Sequence, residues 1–121
     1  VNSQIIAKLA GGEPLCAMIT VESEKNLGLK VGKEVLFLFK APSVIIAKNG
    51  KDDLRVSSAN QIKGTICEVK IGAVNAEICL NTNSHQTITS IITRESATAM
   101  ALGVGDEVIA IVEPSEIIIG A

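Results

Sequence analysis

The chain contains no tryptophan or tyrosine, and only two phenylalanines in 121 residues. A groove that stacks bases on aromatic faces has almost nothing to be built from. Phe37 and Phe39 share one strand face, and core packing is the better reading of them. Histidine occurs once, as His85. With no second ligand nearby and a polar turn around it, His85 reads as a surface residue rather than a metal ligand.

Further absences narrow the function. No apolar run approaches the roughly 20 residues that a bilayer-spanning helix needs, and residues 1–10 show no charged segment leading into an apolar one. Eleven Lys and Arg stand against thirteen Asp and Glu, for a formal charge of -2. Without a basic block, this segment is not expected to bind DNA by itself. There is no glycine-rich loop closing on Lys-Ser or Lys-Thr, no nucleophile elbow and no paired-histidine motif, so the chain is not expected to be an enzyme. Cysteine occurs three times, as Cys16, Cys67 and Cys79. That odd number matches no zinc spacing, and the neighbours are apolar, so the expectation is three reduced, buried thiols in a cytoplasmic protein. Cys67 and Cys79 are expected to face each other across a hairpin.

Hydrophobic residues make up 47% of the chain. Valine and isoleucine dominate the apolar runs, which suits a β-rich core. A length of 121 residues allows one ordinary domain or two very small ones, and modules of about 60 residues bury little core alone. Tight mutual packing or oligomerisation is expected.

The chain repeats itself. Shifted by 73 residues, residues 1–48 align with 74–121 without a gap and with 14 identities, among them Ile19/Ile92, Thr20/Thr93, Ser23/Ser96, Gly32/Gly105 and Ile46/Ile119. Such internal periodicity precedes any other reading of fold. The second copy opens near Ser57, so the first lacks the equivalent of 17 opening residues and is expected to be N-terminally truncated, without its opening strand.

Within a copy, residues 62–71 and 76–80 read as a hairpin around Gly72, and a second hairpin strand follows at 87–93, matched by 15–21. Residues 22–27 and 95–100 lose the alternation and start with acids, as a short helix does, capped by Thr20 or Ser23 and by Thr93 or Ser96. Strands are expected again at 34–40, 43–47, 107–113 and 116–119. The expected fold class is all-β, mainly: two tandem OB-like five-stranded β-barrel modules, each with one short helix. The expected organisation is a first module at 1–48, a linker at 49–56 and a second module at 57–121.

Thr20 and Ser23 stand at the front of the first helix, where free N–H groups and the positive end of the helix dipole favour an anion. Thr and Ser before a helix are more often simply caps. Lys40 closes the apolar strand 35–39 and is followed by Ala41-Pro42-Ser43, a turn able to aim N–H groups and a hydroxyl.

These residues carry a resemblance. Ile19-Thr20 with Ser23, Leu27-Gly28-Leu29 with Gly32-Lys33-Glu34-Val35, Lys40-Ala41-Pro42-Ser43-Val44-Ile45 and Ser57-Ser58-Ala59-Asn60-Gln61 resemble the Mop, or molbindin-type, TOBE domains. The likeness is strongest to the C-terminal molybdate-binding effector region of the transcriptional regulator ModE. It implies that Thr20, Ser23, Lys40, Ala41 and Ser43 are oxyanion ligands, with further contacts from a Ser-x-Arg-Asn-Gln opening on a neighbouring module. It implies molybdate or tungstate as bound ligand, with no organic cofactor and no metal held directly by side chains. It also implies a cytoplasmic homo-oligomer, a dimer with sites at the subunit interface, that reaches DNA through a separate segment and does not engage a membrane. A cytoplasmic molybdate-storage protein, or an accessory domain of an ABC transporter ATPase, would share the fold. The second copy departs from the pattern, with Glu113 in place of Lys40 and Ala59 where the motif has arginine, and is expected to lack an equivalent site.

Overall fold

Along residues 61–66 the side chains alternate, with Ile62, Gly64 and Ile66 buried and Gln61, Lys63 and Thr65 exposed. A period of two belongs to a sheet with one covered face. A computed structural model, which describes residues 1–48 and 55–121, is mostly β with two short α-helices. The strands are β1 (Asn2–Lys8), β2 (Pro14–Thr20), β3 (Leu36–Leu38), β4 (Ile45–Ala47), β5 (Gln61–Ile71), β6 (Asn75–Thr82), β7 (Thr87–Thr93), β8 (Glu107–Ile111) and β9 (Ile118–Gly120). The helices are α1 (Val21–Leu27) after β2 and α2 (Arg94–Ala99) after β7. Most of the expected linker, residues 49–54, lies outside the described residues.

Strand pairing crosses the boundary between the copies. The large sheet runs β4-β8-β5-β6-β7, so the last strand of the first copy is an edge of the second copy's sheet. In return β9 pairs with β3, Leu38 opposite Ile118, and β1 pairs with β2 in a sheet of two. Each neighbouring pair in the large sheet is antiparallel. The sheet curls until its two edges approach, and Ser90 Oγ on β7 donates to the Val44 carbonyl, just before β4, at 2.6 Å. One hydrophobic core receives side chains from both copies, including Leu15, Ala17, Val44 and Ile46 from the first and Ile66, Ile78, Leu80 and Val112 from the second. This mutual burial meets the need that modules of such size have for each other.

Some expected strands are shorter. Only Leu36–Leu38 of 34–40 pairs, because its partner β9 offers three residues. The expected strands at 43–47 and 116–119 each begin as a 3₁₀ turn, Ala41–Ser43 and Pro114–Glu116. Pro42 and Pro114 stand in the first turn of these helices, where a fixed φ and a missing N–H cost nothing.

The cysteines correct the sequence reading. All three are free, but only Cys16 is buried, Cys79 is half-buried and Cys67 is exposed. The register of β5 against β6 slips between Ile66 and Glu68, so Cys67 is the extra residue of a β-bulge and is turned out of the apolar face. Its thiol lies 3.4 Å from the Cys79 carbonyl rather than against the Cys79 side chain.

Candidate functional site

Thr20 is extended, at φ -75° and ψ 153°, and its Oγ1 accepts from the Ser23 N–H at 3.0 Å, so it is the N-cap of α1. The Thr20 hydroxyl donates to Ser23 Oγ at 2.9 Å. Ser23 Oγ, accepting that bond, keeps its own O–H free to donate outward. Gly28 ends the helix in the left-handed region at φ 63°, and Lys33 Nζ donates to the Leu27 carbonyl at 2.6 Å. Both ends of this seven-residue helix are thus satisfied locally.

The second copy reproduces the hydroxyl pair. Thr93 caps α2 by accepting from the Ser96 N–H at 3.1 Å, and its hydroxyl donates to Ser96 Oγ at 2.9 Å. Gly28 is matched there by Ala101, held at φ 50°. The cap of α2's last turn comes from the first copy. Lys48 Nζ donates to the Met100 and Ala101 carbonyls, each at 3.1 Å, and pairs with Asp106 Oδ2 at 3.1 Å. Asp106 also accepts from the Gly103 N–H at 2.9 Å. That backbone bond first, and Lys48 second, hold its carboxyl below the usual aspartate range.

Lys40 is exposed and extended, at φ -79° and ψ 142°, and leads into the turn Ala41–Ser43. Its carbonyl accepts from the Ser43 N–H at 2.9 Å, and the Ala41 carbonyl accepts from the Val44 N–H at 3.1 Å. This turn packs on β7, whereas the turn Pro114–Glu116 packs on β2. The alternating directions of the large sheet make β4 and β7 run the same way. The Lys40 turn, which precedes β4, therefore lies toward the start of β7, while Thr93 and Ser96 follow its end. Thr20 and Ser23 ride on α1, which packs on β1 and β2. The five expected ligands thus fall into two groups on different parts of the fold, Thr20 with Ser23 and Lys40 with Ala41 and Ser43. Among the described residues no hydrogen bond joins the two groups.

The opening segment of the second copy shows what its motif does. Ser58 Oγ donates to the Val112 carbonyl at 3.0 Å, and the Val112 N–H donates to the Asn60 carbonyl at 3.3 Å. Asn60, 1% exposed, accepts from the Cys16 N–H and donates to the Cys16 carbonyl, both at 2.8 Å. Ser58 and Asn60 are committed to protein partners, and Ala59 between them lies beside the stretch that leads into Glu113. Both positions that departed from the family pattern are thereby neighbours, and neither bears a positive charge. Sequence reasoning missed Asn60 as a clamp between the copies. Its signal was its place in the Ser57–Gln61 motif just before an apolar strand, which pointed to ligand contacts and not to Cys16.

His85 is exposed, in a turn at φ 61°, and Phe37 and Phe39 pack against the core. Among the described residues no helix is long and apolar enough to cross a membrane.

The fold and these groups define a small, mostly β protein with one curled five-stranded sheet, to which both sequence repeats contribute strands. Residues 1–46 and 57–119 match the TOBE domain, and the chain belongs to that family. It is 36% identical over 119 residues to the molybdenum-pterin-binding protein MopA of Rhodobacter capsulatus, covering 98% of this chain and 44% of that one. It is 30% identical over 119 residues to the molybdenum transport protein ModE of Azotobacter vinelandii, covering 98% and 43%. The chain thus spans less than half the length of these curated relatives. Among solved structures it superimposes on the cytoplasmic molybdate-binding protein ModG, a form with molybdate bound, with a TM-score of 0.94 and 36% identity, covering 100% of this chain and 85% of that one.

Proposed function

We propose that this chain is the molybdate- or tungstate-binding effector domain of a molybdenum-responsive transcriptional regulator. The observation that carries the reading is the inequality of the two copies. Lys40 beside Ala41–Ser43 gives the first a cation at the mouth of a turn, whereas the second has Glu113 there, with Ala59 near it. A unit charge about 4 Å away is worth roughly 4 kcal/mol at an effective dielectric of 20, so exchanging Lys for Glu swings the interaction with an anion by about twice that. The lysine supplies charge-assisted hydrogen bonds, roughly twice as strong as neutral ones, and the hydroxyls and turn N–H groups supply geometry.

Thr20, Ser23, Lys40, Ala41 and Ser43 are the proposed ligand set. Their separation into two groups within one chain supports a site shared between subunits of a homodimer, one contributing Thr20 and Ser23 and the other the Lys40 turn. Binding would then favour the dimer geometry that brings the groups together, and DNA would be engaged by a segment outside this chain. The cytoplasm is the proposed compartment. The relationship to ModE and MopA supports the ligand class.

Likeness to ModG over the whole of this chain favours a second reading, a free-standing molybdate-storage protein of the same architecture. The two are separated by whether the full gene product binds DNA in a molybdate-dependent way.

Calorimetric titration with molybdate, tungstate, sulfate and phosphate, alongside melting temperature, tests the ligand class. Binding of the first two, with little or none of the others, is expected. Equal response to all four, or to none, would sink the reading.

A further inference from the structure

The bulge in β5 sets two thiols beside each other on the outer face of the large sheet. The register steps from Ile66 opposite Leu80 to Glu68 opposite Cys79, so Cys67 and Glu68 together oppose Cys79. In β6 Ala76, Ile78 and Leu80 are buried, and the period of two sends Cys79, between them, to the other face. Cys67 is exposed, and its thiol donates to the Cys79 carbonyl at 3.4 Å. The Cys79 thiol is half-buried and turned toward β7, with Sγ 3.7 Å from Thr89 Oγ1.

Facing residues of an antiparallel ladder stand about 4.5–5.5 Å apart at Cα, and a disulfide spans about 4.4–6.8 Å. Rotation of the two side chains about their Cα–Cβ bonds therefore brings the sulfurs within bonding reach, without sliding either strand. The bulge is also pinned from the other edge of β5. The Ile66 N–H donates to the Asp106 carbonyl at 2.9 Å, and the Ile66 carbonyl accepts from the Gly105 N–H at 2.8 Å. With Ile66 held on both counts, the extra residue stays at 67 and its thiol stays outside. Cys16 is the contrast. It is buried, Gln4 Nε2 donates to its Sγ at 3.1 Å, and Asn60 holds its backbone.

We propose that Cys67 is a site of thiol–disulfide exchange with low-molecular-weight disulfides such as oxidised glutathione, and that Cys79 resolves the adduct. The Cys67 thiolate attacks one sulfur of the small disulfide, whose S–S bond breaks, and one small thiol leaves. Cys79, having given its proton to solvent, then attacks the Cys67 sulfur, and the second small thiol leaves. The chain gives up two electrons and two protons and gains the Cys67–Cys79 bond, and the small disulfide is reduced to two thiols. Burial orders the steps, since only Cys67 is open to an approaching disulfide. Where thiols are kept reduced, an exposed pair of this kind forms transient bonds that respond to oxidation. The proposed oxyanion ligands take no part, so the two readings stand or fall separately.

The test incubates the reduced, folded protein with oxidised glutathione at mildly alkaline pH, quenches with acid, and follows intact mass and mapped peptides. A Cys67–Cys79 bridge without a lasting adduct is expected, with Cys16 untouched. Cys79→Ser should accumulate glutathione on Cys67. Cys67→Ser should react roughly tenfold more slowly than wild type, because access and thiolate character set the rate. An unreacted wild type, a lasting adduct on its Cys67, Cys16 reacting as fast as Cys67, or an undiminished rate in Cys67→Ser would overturn the proposal.

Discussion

The side-chain amide of Asn60 spans both backbone polar groups of Cys16, accepting from its N–H and donating to its carbonyl at 2.8 Å each. It pairs with β2 as a neighbouring strand would, and so ties the opening of the second copy to the first. Asn60→Ala would leave two buried backbone groups without partners, at about 1–3 kcal/mol each. A loss of about 2–5 kcal/mol is expected in urea denaturation at an unchanged m-value. A loss under 0.5 kcal/mol would show that the clamp contributes little.

Lys40→Ala should weaken molybdate binding at least tenfold, since roughly 1.4 kcal/mol suffices for that and a charge-assisted bond contributes more. Glu113→Ala should leave affinity within about twofold. The two variants are compared by calorimetry, and equal effects would refute the unequal copies.

Thr20→Ala and Thr93→Ala remove the same cap from the same kind of helix. Each should cost about 1 kcal/mol of stability. Only Thr20→Ala should also reduce molybdate affinity, because Thr20 belongs to the proposed seat. Paired denaturation and titration curves separate the cap from the ligand role.

Asp106 has a folded-state affinity for protons below that of the unfolded chain, through the Gly103 N–H first and Lys48 second. Its stabilising contribution is therefore present above the unfolded value near pH 4 and is lost as pH falls through the lowered folded value. Asp106→Asn should flatten that part of the stability profile and leave the region above pH 5 parallel to wild type. The same acid-limb slope in both proteins would refute the assignment.

Lys48→Met should loosen the end of α2, because Lys48 caps two of its carbonyls from across the repeat boundary. Faster hydrogen exchange is expected at Met100, Ala101 and Leu102, with α1 unchanged. Equal loosening of both helices would point to a global effect instead.

Periodicity, turn chemistry and the 73-residue shift were enough to read the repeat, both hairpin strands around residues 62–93, both short helices and their Thr caps, since each depends on neighbours close in sequence. The hydroxyl pair Thr20–Ser23 and the turn after Lys40 were legible for the same reason. The partners of β4 and β9 were not. A three-residue strand fits equally well beside its own copy or the other, and only burial of Val44, Ile46, Ile117 and Ile119 in the shared core decides between them. The bulge that exposes Cys67 was likewise hidden, because an apolar pattern carries no mark of one extra residue. The repeat by itself determined that the Lys40 and Glu113 positions are unequal. Tertiary structure decided that Lys40 stands apart from Thr20 and Ser23 within one chain, because the exchanged strands carry its turn onto the other copy's sheet.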